Sequence, residues 1–277
     1  MRALLLATLL AIGCGTVPSA SPDARVDSPV SGNDDASVDA GPTCVPNPAG
    51  LRARYRAEDN PNDHTGTFNG ATVGANFVYT AGKYGKAFQF DGADDTVTIN
   101  DSDQLWPQGS FTLEAWVKPL ATSTGYIIAK NACGSVCPAS AFAYFGLRLE
   151  SGGHPQFEFH PDAGVGQNVS VLAATSAIND NNWHHLVGVK DSNSLIATLY
   201  VDGAVAASAS GTATQFGPMT NADASLDLVT FGSKMTNNAD SYEGYFFGAI
   251  DEVAIYHSAL TAAQVSAMYS APEGKCL

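Results

Sequence analysis

Acidic side chains and cysteines carry most of the reactive chemistry of this 277-residue chain, which has 27 Asp and Glu against 13 Lys and Arg. The most suggestive acidic pair is Asp251-Glu252, set inside the apolar stretch 248–256. Two carboxylates that flank a bond can divide the work of general acid and general base. Neighbouring residues of a regular strand point to opposite faces, so this pair is expected not to converge. The apolar positions Ile250, Val253 and Ile255 slip out of period two across the pair, which predicts a β-bulge that re-aims one carboxylate. Asp251 is therefore a candidate oxygen ligand for a hard cation, the alternative being a cap on a backbone group. Histidine offers no metal box, because His64, His154, His160, His184, His185 and His257 form neither His-x-His nor His-Glu-x-x-His. Nor does the chain hold a Gly-x-Ser-x-Gly elbow or a phosphate-binding glycine-rich loop.

The elements that must position these groups read as strands. Val187 and Val189 face one way, Leu195, Ala197, Leu199 and Val201 repeat every second residue, and Asp191-Ser192-Asn193-Ser194 between them is a turn cluster. A hairpin follows from that pattern. Asp202-Gly203 supplies the positive backbone angles of a tight turn and opens a third strand at 205–209. Further strands are predicted at 87–90, 96–99, 111–118, 126–130, 145–150, 156–159, 167–174, 226–232 and 246–256. This is more than one open sheet usually holds, so two packed sheets are expected. One helix stands out, with Thr261 and Gln264 as a capping box, Leu260 and Val265 as a hydrophobic staple, and Val265, Met268 and Tyr269 as an apolar stripe. It is expected to pack across an end of the sandwich. No internal repeat is present, which excludes propellers and solenoids.

A formal net charge of −14 argues against nucleic acid or an anionic membrane surface as partner, since both need a basic footprint. Met1-Arg2, the apolar run 3–12 and Gly13-Cys14 read as a secretory signal over 1–13. The Gly13-Cys14 junction resembles a bacterial lipoprotein cleavage box. The resemblance implies a lipidated Cys14 and a protein held at the outer membrane or cell surface, touching the membrane only through its acyl chains. Simple secretion is the alternative. Residues 14–48 lack aromatic residues and hydrophobic period and read as a flexible acidic tether to a domain at 49–277. Cys44, Cys133, Cys137 and Cys276 remain, an even set that allows three disulfide connectivities. The short loop Gly134-Ser135-Val136 favours Cys133 with Cys137, which leaves Cys44 for Cys276.

Five blocks, 82–92, 111–119, 183–187, 199–203 and 248–256, together resemble the laminin-G-like jelly-roll domains of the concanavalin A-like lectin and glucanase superfamily. The resemblance implies an all-β, two-sheet antiparallel jelly-roll sandwich with one short C-terminal helix. It also implies a structural Ca2+ between early and late strands, for which Asp63 in Asn62-Asp63-His64-Thr65-Gly66 and Asp251 are the candidates. Asp63 has a second reading as the nucleus of an Asx turn. The Glu-x-Asp-x-x-Glu motif of the catalytic branch is absent, so no enzyme activity is expected. Trp116 and Trp183 read as core and Trp106 as a loop residue that could stack on a sugar, while His184-His185 reads as framework and Asn168-Val169-Ser170 as a chance glycosylation match. The expected function is a surface-anchored, non-enzymatic module that binds extracellular or cell-wall carbohydrate. A protein-binding adhesion module is the alternative, followed by a glycoside hydrolase.

Overall fold

The computed structural model describes residues 44–131, 143–161, 169–172, 177–219, 228–236 and 241–276. All belong to one compact unit, Gly41–Leu277. The signal, Cys14, most of the tether, Cys133, Cys137 and Asn168 lie outside the described residues. The chain is already held to the domain at Cys44, ahead of the boundary at 49 drawn from composition. Cys44 forms a disulfide with Cys276 across a sequence separation of 232, and Val45 bridges to Lys275.

Five strands come first, β1 (Leu51–Tyr55), β2 (Gly70–Val73), β3 (Val78–Ala81), β4 (Lys86–Asp91) and β5 (Thr96–Ile99). The middle of the chain supplies β6 (Phe111–Pro119), β7 (Gly125–Asn131), β8 (Tyr144–Glu150), β9 (His154–His160) and β10 (Val169–Leu172). Then follow β11 (His184–Asp191), β12 (Ile196–Val201) and β13 (Ala204–Ser210). The last stretch holds β14 (Val229–Phe231), β15 (Lys234–Met235), β16 (Tyr242–Glu243), β17 (Phe247–Tyr256) and α1 (Ala262–Ser270). One sheet runs β13-β12-β11-β6-β17-β4-β3, with β1 added beside β17, and the other runs β10-β9-β8-β7-β14-β5-β2. All pairings within these two sheets are antiparallel, and the architecture is the expected jelly-roll sandwich.

The period of two decides which side chains meet between the sheets. Phe111, Leu113, Ala115 and Val117 of β6 enter the core, where Phe145 and Leu147 of β8 and Phe157 and Phe159 of β9 join them. The Phe111 ring lies 5.4, 5.7 and 5.9 Å from those of Phe145, Phe157 and Phe159. Each fully buried phenylalanine contributes about 1.5–3 kcal/mol. Gly188 in β11 is required by this packing, since a Cβ there would stand 2.3 Å from the Phe157 ring. At the predicted tight turn both Asp202 and Gly203 take left-handed angles, φ 52° and 78°.

A second apolar cluster lies on the outer side of the first sheet. Val187, Val189, Tyr200, Ala254 and Tyr256 meet Leu260, Val265 and Met268 there. The helix thus covers a face rather than an end of the sandwich. The reason is that β11 is apolar on both sides, with Leu186 pointing inward and Val187 and Val189 outward, so the outer side also needs cover. The capping box forms as predicted, the Gln264 amide donating to the Thr261 hydroxyl and the Thr261 amide to Gln264 Oε1. Among the described residues, no helix is long and apolar enough to cross a membrane.

Candidate functional site

The predicted bulge lies where β17 pairs with β6. Asp251 is opposite Trp116 and Ala254 is opposite Glu114, so Glu252 and Val253 share the space of Ala115. Glu252 adopts φ 51°, a strained angle outside glycine. Ile250 and Val253 stay in the inter-sheet core, and Asp251 and Glu252 both turn outward. The expectation of opposed carboxylates is therefore corrected, because the extra residue breaks the alternation on which it rested.

Both carboxylates are sealed. Asp251 accepts hydrogen bonds from the Tyr84 amide at 3.0 Å and the Glu252 amide at 2.7 Å. Burial, and then the neighbouring Glu252, push its carboxyl up to about 8. Glu252 accepts from Arg54 Nε at 2.9 Å, while Arg54 also donates to the carbonyls of Cys276 and Lys275. Beside them Glu114 accepts from Lys275 Nζ and the Tyr256 hydroxyl, both at 2.8 Å, and faces His185 Nε2 at 3.1 Å. Burial opposes ionisation of Glu114, but Lys275 and His185 outweigh it and hold the carboxyl at about 2. With Glu114, His185, Arg54, Glu252 and Lys275 all at most 5% exposed, this cluster clasps the C-terminal segment onto the sheet. His184 is framework too, held between Asp202 at 2.8 Å and Asp180 at 3.0 Å.

Asp63 organises its own loop. Its carboxylate accepts from the amides of Arg54, Thr65, Thr67 and Phe68 and from the Thr65 hydroxyl. A cation at Asp63 or Asp251 would have to displace these donors. The two carboxylates share no hydrogen-bond partner, and neither belongs to a cluster of three or more metal-ligating side chains among the described residues. The donor set does not suit a calcium ion held between them.

An accessible cleft of about 400 Å³ lies elsewhere on the first sheet, lined by residues that include Asn76, Val78, Gln89, Asp91, Asp94 and Phe247. The β4–β5 turn builds its acidic wall. Asp91 accepts from the amides of Ala93 at 2.8 Å and Asp94 at 3.2 Å, bonds that hold its carboxyl below the ordinary range. Asp95 accepts from the Asp91 amide, and burial followed by repulsion from Asp91 raises its carboxyl. Oxygens of Asp91, Asp94 and Asp95 lie within 4.8 Å of one another. Register supplies the opposite wall, since Phe247 pairs with Asp91 and Val78 with Gln89. Phe247 is 36% and Val78 51% exposed. An open aromatic ring beside carboxyl acceptors can stack on C–H groups while hydroxyls donate to the carboxyl oxygens.

The tryptophans do not provide this platform. Trp106 is 1% exposed, edge-on to Phe145 in the inter-sheet core, which corrects its reading as a loop residue open to a ligand. Trp116 is buried on the outer side beneath Tyr269, and Trp183 is half-buried just ahead of β11. Phe247 and Asp91 escaped sequence reasoning because they are 156 positions apart and meet only through strand register.

No curated protein sequence matches the chain. Among solved structures, domain 4 of AbnA, a GH43 extracellular arabinanase from Geobacillus stearothermophilus in complex with arabinotriose, superposes with a TM-score of 0.58 at 23% identity, covering 78% of this chain and 96% of that one. The binding domain of Paraclostridial Mosquitocidal Protein 1 gives 0.57 at 16% identity, over 79% of this chain and 52% of that one. A structure concerning botulinum neurotoxin type C, whose cell entry depends on interaction with two ganglioside molecules, gives 0.56 at 10% identity, over 80% and 51%. The chain spans about half the length of these toxin chains, and at such identities the likeness is one of fold. A laminin G family model matches residues 91–266, more than half of the sequence, so the chain belongs to the concanavalin A-like lectin/glucanases superfamily.

Proposed function

We propose that this domain is a non-enzymatic binding module that engages an extracellular or cell-wall glycan in the Phe247 cleft. The observation that carries the reading is the exposed Phe247 ring set against Asp91 and Asp94 in a cleft of about 400 Å³. Ligand clefts typically run from roughly 300 to 1,000 Å³. A sugar ring would lay its C–H face on Phe247 and donate hydroxyl protons to the carboxylates. The arabinotriose complex of the AbnA domain supports a carbohydrate ligand on this fold. Anchorage through a lipidated Cys14 belongs to the same proposal and would present the cleft outside the cell.

The test is a glycan array on the full chain with and without Ca2+, followed by calorimetric titration of the best ligand. Phe247→Ala should weaken binding about tenfold, a loss of about 1.4 kcal/mol, and lower the melting temperature by only about 2–4 °C. An array on which no sugar binds in either condition would move the assignment to a protein-binding adhesion module.

A further inference from the structure

The Phe247 cleft holds negative charge that the surrounding fold leaves unanswered. Asp91, Asp94 and Asp95 line it together, with oxygens within 4.8 Å of one another. None of the ion pairs among the described residues involves these three carboxyls. The turn fixes two of them in place. Asp91 accepts from the amides of Ala93 and Asp94, which favours its charged form, and Asp95 is 5% exposed and accepts from the Asp91 amide. Asp94 gives the turn its amide rather than its carboxylate, and the residue stays exposed.

Aromatic rings flank this acidic turn. Phe247 pairs with Asp91 across β17 and β4, and Gly92 brings the turn against the ring, since a Cβ there would stand 3.0 Å from the Phe247 Cβ. Tyr245 is half-buried nearby, and burial, followed by the charges of Asp94 and Asp91, raises its hydroxyl. The face of an aromatic ring attracts a cation, and an ionised carboxylate forms its strongest hydrogen bonds with one. A neutral hydroxyl fills the same hydrogen bonds but leaves the carboxyls repelling each other. An ammonium group relieves that repulsion and brings three N–H donors to a site with three acceptor side chains. The site therefore selects for positive charge within a ligand whose remaining surface can lie on a ring.

We infer that the glycan taken by this cleft bears free amino groups, one protonated amine sitting among Asp91, Asp94 and Asp95 while its sugar ring lies on Phe247. The inference rests on the reading of the cleft as a glycan site. Titration of the full chain with glucosamine, N-acetylglucosamine and glucose oligomers of equal length, with oligolysine as the cation that is not a sugar, tests it. At a pH where the amine is protonated, the glucosamine oligomers should bind about tenfold tighter than either neutral series, a margin that narrows as salt is added. Asp94→Asn keeps the side-chain shape and the turn amide, and should shrink the margin to less than about threefold. Equal affinity for charged and neutral oligomers, a margin that survives Asp94→Asn intact, or oligolysine bound as tightly as the glucosamine oligomers overturns the inference. Neutral oligomers that bind as well as charged ones and weaken in Phe247→Ala would leave the glycan reading standing without the amine. No oligomer bound at all would remove both.

Discussion

The two sheets share one core and finish their outer sides in opposite ways. Outward positions on the first sheet are apolar at Val187, Val189, Ala254 and Tyr256, and α1 roofs them. The charges among them are paired, Glu114 with Lys275 and Glu252 with Arg54, and the Cys44–Cys276 bridge ties both ends of the domain beside them. Outward positions on the second sheet are polar at Tyr144, Arg148, Gln156, Glu158 and His160 and keep three unpaired atoms, against His185 Nδ1 and His257 Nε2 at the first sheet. Beneath α1 the first sheet uses polar groups to close the fold, and away from the helix the same sheet keeps the open Phe247 cleft. The second sheet leaves hydrogen-bonding capacity unspent, which stability penalises.

The sharpest way to break this contrast is to remove one charge from each side. Glu114→Ala leaves Lys275, His185 and the Tyr256 hydroxyl buried without their acceptor and should cost about 3–5 kcal/mol in urea unfolding. Arg148→Ala removes a quarter-exposed cation together with its packing on Tyr126 and its pairing with Glu158, and should cost about 1–2 kcal/mol, less than the Glu114 variant. Equal losses would mean that the sides differ in sequence but not in role.

Titration sharpens the same comparison. Glu114 is held at about 2 in the folded chain against 4.5 when free, so its contribution is complete above pH 4.5 and fades as pH falls toward 2. Asp251 has the opposite sign. Its carboxyl sits near 8 when folded against 3.8 when free, so the folded state binds the extra proton and stability declines as pH rises from about 4 to 8. Burial holds His257 at about 4 against 6.5 when free, so it adds stability as pH rises from 4 to 6.5 and opposes Asp251 there. Urea midpoints should therefore fall for the unaltered chain chiefly between pH 6.5 and 8, and climb between pH 4 and 6.5 in Asp251→Asn. Identical profiles in both would remove Asp251 from the account.

Much of this was legible in the sequence wherever a local rule was decisive. The slip of apolar period at Asp251-Glu252 announced the bulge, Asp202-Gly203 announced its turn, and Thr261 with Gln264 announced the helix start. The short strands β2 and β3 carry no such signal, because their residues are half-buried to exposed and lack a clean alternation. The position of α1 was hidden because the outward residues of several strands decide it together. The ion clasp was hidden by distance along the chain, Arg54 and Glu252 being 198 positions apart and Lys275 and Glu114 161. The Phe247 cleft has the same cause of invisibility, since it exists only once strand register places β17 beside β4.

The smallest perturbation is also the most selective. Thr261→Ala removes the hydroxyl that accepts the Gln264 amide and should cost about 1 kcal/mol. Because α1 roofs only the first sheet, the loss should stay on that side. Amide exchange should quicken in Ala262–Ser270 and in the Trp116 indole that Tyr269 covers, while β8 and β9 keep their protection. If exchange rises equally in β8 and β9, the two sides open as one cooperative unit, and the side roofed by α1 has no local stability of its own.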